Sequence, residues 1–110
     1  MTVHFHQRLD ELKRRSIRMA SNVEDMLQAA GDALFTDDVA AAREIIARDE
    51  SIDEEEVAIE VEVIELMTLH QPVARDIRVL ATILKVNNDL ERVADCVVNI
   101  AERAKHLEVQ

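Results

Sequence analysis

A single glycine, Gly31, and a single proline, Pro72, leave this 110-residue chain almost nothing with which to build tight turns. A sheet protein of this size needs many turns, and Gly and Pro are the strongest markers of them. The shortage therefore argues for a few long helices. Tryptophan and tyrosine are absent, and Phe5 and Phe35 are the only Phe, Trp or Tyr residues. A core must then come from Leu, Ile, Val, Met and Ala, and a hydrophobic content of 48% is enough for one in a chain of one-domain length. With Cys96 as the lone cysteine, no intramolecular disulfide can form, which is consistent with a reducing compartment. No apolar run reaches the roughly 18 residues of a membrane span, and no signal-peptide pattern appears. The expectation is a cytoplasmic protein with no membrane insertion. Positive charge is also short. Thirteen Lys and Arg face 23 Asp and Glu, a net charge of -10. That balance disfavours nucleic acid and favours a cation or a basic partner.

Three stretches carry helical periodicity. Phe5, Leu9, Leu12, Met19, Val23, Met26, Leu27, Ala30 and Leu34 form one stripe, predicting a first helix over about 4–35. Arg8, Lys13, Arg14, Arg15 and Arg18 cluster around its first half. They read as a solvated face with salt bridges to an acidic neighbour. Thr36-Asp37-Asp38 is a short connection in which Thr36 or Asp37 can cap the next helix. A second helix over about 37–70 has an apolar arc of Ile45, Ile46, Ile52, Ile59, Val63, Ile64, Leu66 and Met67. Asp49, Asp53, Glu56 and Glu60 fall inside that arc, where charge needs a partner. Proline favours the first turn of a helix and disfavours helical geometry just before it. A tight turn at Gln71-Pro72 therefore leads into a third helix over about 73–106. The fold class is all-α, an antiparallel three-helix bundle.

The third helix carries two stripes. At about 100° per residue from Ile77, Leu80, Leu84, Asn88, Glu91, Asp95, Val98, Asn99 and Glu102 share one arc. Val79, Ile83, Val86, Leu90, Val93, Val97 and Ala101 form a second stripe on the opposite side. Two neighbours cover only one side, so the second stripe predicts self-association into a homodimer of six helices.

The acidic residues pair by spacing. Glu91 and Asp95 are four apart, one above the other on one face, and so are Asp49 and Asp53. Asp49 and Asp95 are equally far from Pro72, as are Asp53 and Glu91. The two pairs should therefore meet at one height on an antiparallel hairpin. Stacked carboxylates repel unless a proton or a cation lies between them. Asp49, Asp53, Glu91 and Asp95 are thus the candidate metal ligands, with Glu56 and Asn88 behind them. An oxygen-only donor set suits hard cations such as magnesium, manganese, calcium or ferric iron. Cys96, at the edge of the acidic arc, reads as a small core residue or a sulfur near the metal.

The segments His70-Gln71-Pro72-Val73-Ala74-Arg75-Asp76-Ile77-Arg78, Ile83 through Asp95, and Asn99-Ile100-Ala101-Glu102 closely resemble the PhoU family. Arg48-Asp49 through Glu56 resembles that family's second-helix motif. The resemblance covers nearly the whole chain and implies one PhoU-like three-helix domain over residues 1–110. It also implies a cytoplasmic regulator of phosphate uptake and of phosphate-starvation signalling. Such a regulator acts on the phosphate ABC transporter, through its ATPase, and on the partner sensor histidine kinase. The family's metal-cluster motifs fall on Asp49/Asp53 and Glu91/Asp95. Two departures are visible. Family members usually carry two such bundles in tandem, whereas this chain looks like one repeat. Ala94 and Cys96 also stand where Gly and His are common.

Two other classes remain in view. A ferritin-like di-iron enzyme would need Glu-x-x-His, and none of His4, His6, His70 and His106 has Glu three residues before it. No nucleophile–base pairing shares a face, so no enzyme is expected. A metal-free helical adaptor with an acidic groove is the alternative, separated from the first reading by metal analysis.

Overall fold

The computed structural model describes residues 2–107. It contains three helices, α1 (Thr2–Thr36), α2 (Val39–His70) and α3 (Ala74–Leu107). No strand occurs among the described residues. The connections at 37–38 and 71–73 fall where the sequence places its breaks. Asp37, at φ 54°, ends α1 in the left-handed region, which Asp tolerates better than most side chains. The cap of α2 is Asp38 rather than the expected Thr36 or Asp37. Its carboxylate accepts from the Ala41 amide at 3.0 Å. Thr36 instead turns its hydroxyl back to donate to the Asp32 carbonyl. Gln71, at φ 43°, closes α2 ahead of Pro72.

The bundle is a rod of about 59 × 18 × 16 Å, one helix long. Its core is a single seam on each helix, spaced alternately four and three residues. On α1 the seam is Phe5, Leu9, Leu12, Ser16, Met19, Val23, Met26, Ala30 and Ala33, all buried. On α3 it is Asp76, Leu80, Ile83, Asn87, Leu90, Ala94, Val97, Ala101 and Ala104, with Leu90 half-buried and the rest buried. A mean spacing of 3.5 residues is the coiled-coil repeat, which winds helices around one another so that the seam stays inward.

This seam revises two sequence expectations. Leu27 is 44% exposed and Ile64 53%, although both were placed in core arcs. The two stripes of α3 also become one: the seam threads between them, taking Leu80 from the first and Ile83, Leu90, Val97 and Ala101 from the second. Val79, Val86 and Val93 are left as an outer row beside α1, with Val86 and Val93 exposed. The basic cluster of α1 behaves as expected. Arg8 bonds to Glu62 and Glu65, and Arg15 to Glu55, which orients that flank of α2 toward α1.

Candidate cation site

On α2 the seam positions are Ala42, Ile45, Asp49, Ile52, Glu56, Ile59, Val63, Leu66 and His70. Two carboxylates therefore occupy places that geometry reserves for apolar side chains. Asp49 and Glu56 are half-buried, and Asp49 Oδ1 is fully enclosed without a hydrogen-bond partner. Across from them, Asn87 of α3 is buried and donates through Nδ2 to the Glu56 carbonyl at 3.0 Å.

The register of the α2/α3 hairpin follows from its seams. Matched layer by layer, the seams set Leu66 level with Leu80, Val63 with Ile83, Glu56 with Leu90 and Asp49 with Val97. On this matching the layers are centred on Val73, one residue past Pro72, the midpoint of the 71–73 connection. This one-residue shift staggers the acidic pairs that the sequence placed at equal heights. Asp95 falls between Asp49 and Asp53, and Glu91 between Asp53 and Glu56. The result is an interleaved ladder of Asp49, Asp95, Asp53, Glu91 and Glu56, extended by Glu60.

The electrostatics follow the ladder. Burial pushes the Asp49 carboxyl up from its ordinary value, helped by the charges of Asp53, Asp95 and Glu91. Burial likewise raises Glu56, to about 7, followed by the Glu91 charge, a hydrogen bond to Glu91, and the charges of Asp53 and Glu60. Glu56 thus keeps its proton up to near neutral pH and donates it toward Glu91. Asp53, Glu60 and Asp95 are exposed and Glu91 is half-buried. All four residues expected as ligands are brought to one groove, and Glu56 joins them. Asn88 is exposed on the same flank. In this arrangement no three Asp, Glu, His or Cys side chains among the described residues converge as a group able to hold a metal ion.

A pH dependence follows from the raised carboxyls. Glu56 binds its proton more tightly folded than unfolded, so the folded state is favoured at low pH and the penalty grows as pH rises from about 4.5 to about 7. Discounted for the solvent around a half-buried group, the loss is about 1–2 kcal/mol. The metal-free protein should therefore melt about 5–10 °C lower at pH 8 than at pH 5.5. Glu56→Gln should flatten that difference in a thermal scan. A slope unchanged by the substitution would move the titration to another group.

Three residues sit otherwise than the sequence suggests. Cys96 is exposed, two positions past seam residue Ala94 and on the α1 side of α3. It is therefore not a core residue. His70 occupies a half-buried seam position. Its ring lies 5.3 Å from that of Phe5, and its Nδ1 is buried without a partner. The buried Asp76, which sequence reasoning did not single out, pairs with His6 at 3.4 Å. A polar layer thus closes this end of the rod.

The PhoU domain model matches residues 17–104. Three similar proteins are each named phosphate-specific transport system accessory protein PhoU homolog, the last of them homolog 1. The one from Aquifex aeolicus is 43% identical over 96 residues, 87% of this chain and 43% of its own. The one from Deinococcus radiodurans is 38% identical over 84% of this chain and 43% of its own. The one from Thermotoga maritima is 35% identical over 96% of this chain and 45% of its own. The chain spans somewhat less than half the length of these relatives. It belongs to the PhoU family.

Proposed function

We propose that this member of the PhoU family is a cytoplasmic, non-enzymatic regulator of phosphate uptake and phosphate-starvation signalling. It works through contacts with the phosphate ABC transporter ATPase and its sensor histidine kinase, and its α2/α3 groove binds hard cations. The family's role in phosphate transport comes from the relatives' names. The observation that carries the cation reading is the interleaving of Asp49, Asp95, Asp53 and Glu91 around an enclosed, partnerless Asp49 oxygen. The donors are all oxygens, which fits magnesium, manganese or iron better than a soft metal. From Asp49 to Glu56 the ladder runs about 10 Å, too far for one ion with metal–oxygen distances of about 2.0–2.6 Å. More than one ion is therefore expected, with Glu56 at one end. Bound cations would supply charge neutralisation and a brace between α2 and α3. No helix among the described residues is long and apolar enough to cross a membrane, so contact with the transporter would be made from outside the bilayer.

A metal-free acidic adaptor is the second reading: the Glu56 carboxyl, pushed up to about 7 by burial and by Glu91, can relieve that repulsion by taking a proton. Native mass measurement of protein purified without chelator decides between the two. Co-purification with the transporter ATPase tests the regulatory role. Failure to retain the ATPase, in the presence and absence of cation, would refute it.

The same proposal includes a homodimer. Val79 and Val86 line an apolar groove of about 590 Å³ between α1 and α3, together with Ile17 and Ala20. Val93 continues the row and is 39% exposed. Val86→Glu with Val93→Glu should give a soluble monomer by sedimentation, because two buried charges in an apolar interface are not tolerated. A wild type already monomeric at high concentration would leave the groove without this role.

A further inference from the structure

The half of the α2/α3 face nearest the turn has a character of its own. Val57, Val61 and Ile64 of α2 are 58%, 51% and 53% exposed, and Ile77 of α3 is 42% exposed. The spacing of 57, 61 and 64 sets the three α2 side chains in one row along the helix. Beside the row stand Glu54 and Glu60, both exposed and without an ion-pair partner among the described residues. On the opposite flank of α2, Glu55 pairs with Arg15, and Glu62 and Glu65 with Arg8. Unpaired acids thus stand on the flank that also exposes β-branched apolar side chains.

We propose that this surface docks a cationic amphipathic helix of another protein, with its apolar stripe on Val57, Val61, Ile64 and Ile77 and its Lys or Arg residues against Glu54 and Glu60. An amphipathic helix laid in a groove between two helices is a common recognition mode, read by anchors at this same spacing. Complementary charge fixes its class and speeds its arrival. The same acids repel nucleic acid and anionic lipid surfaces. A second copy is the poorer occupant. Its Arg8 and Arg15 are held by its own α2, and its Lys13, Arg75 and Arg78 rim the α1/α3 groove.

The test uses the full chain, in chelator, titrated into a labelled synthetic helix of Leu and Lys, about 18 residues or five turns long. A scrambled peptide of the same composition serves as the control for charge alone. Val57→Ser with Ile64→Ser, and separately Glu54→Gln with Glu60→Gln, should each weaken binding about tenfold or more. Phe35→Ser, at an exposed site on α1 far from this face, and Glu24→Gln with Asp25→Asn, which removes the same charge elsewhere, should change it less than about twofold. Circular dichroism confirms that every variant remains helical. Equal losses in the control variants, or equal binding of the scrambled peptide, would reduce the effect to general attraction and overturn the proposal. So would a Val57/Ile64 variant that alters the chain's own sedimentation and leaves peptide binding unchanged, since the face would then belong to a second copy.

Discussion

Asp53→Asn combined with Glu91→Gln should abolish cation uptake and, at the same time, raise the melting temperature of the metal-free protein. Both effects come from the centre of the ladder, where Asp53 lies between Asp95 and Glu91, and Glu91 between Asp53 and Glu56. Two like charges about 4 Å apart repel by about 4 kcal/mol at an effective dielectric of 20. Solvent around the exposed Asp53 reduces the recoverable share to about 1–2 kcal/mol, or about 5–10 °C for a chain of this size. With cation present the order should invert. A ligand at a hundred times its dissociation constant stabilises the folded state by about 2.7 kcal/mol, because the unfolded chain has no assembled site. Wild type should gain that increment on adding manganese or magnesium, and the double variant should gain none. Calorimetry with and without chelator, paired with elemental analysis, reads both arms. An unchanged metal content in the variant would place the site elsewhere. A lower metal-free melting temperature would mean that these carboxylates make favourable contacts.

The helices were legible in the sequence because apolar spacing repeats over more than thirty residues and breakers are scarce. Their faces were less so, and the reason is geometric. A straight helix advances about 100° per residue, whereas the seams here repeat every 3.5 residues, and the two drift apart by about 20° per heptad. Over the four heptads of each helix that drift is close to a quarter turn. It carried Leu27 and Ile64 into arcs they do not occupy, and split one seam of α3 into two stripes. A heptad reading would have placed Ser16, Asn87 and Asp76 in the seams and found Asp49 and Glu56 among the core positions of α2. The four proposed ligands were legible as a group because spacing of four survives any small change in twist. Their stagger was not, since it depends on which seam residues of α2 and α3 share a layer.

Asn87 carries the largest stability effect expected of a single substitution. It occupies a seam position, 1% exposed, on the level of Ile59. Its Nδ2 donates to the Glu56 carbonyl, while its Oδ1 is buried without a partner. Asn87→Asp removes the donor and puts a carboxyl beside a backbone carbonyl, close to Glu56 and Glu91. A buried, uncompensated charge costs about 3–5 kcal/mol, a large share of the roughly 5–15 kcal/mol that holds a domain folded. The variant should be largely unfolded at pH 8 and recover as the pH falls and the new carboxyl takes a proton. Asn87→Leu removes the donor and the orphaned acceptor together and keeps nearly the same volume. It should be neutral or stabilising by about 1 kcal/mol, since the mid-helix Glu56 carbonyl retains its own helical bond. The polar side chain then serves to fix α2 against α3 rather than to strengthen the fold, much as one buried Asn sets the register of a coiled coil. That role predicts broader melting and faster amide exchange around Glu56 in the leucine variant despite its stability. If leucine destabilises as strongly as aspartate, Asn87 Oδ1 is satisfied by water, and the seam at the foot of the acidic ladder is wet.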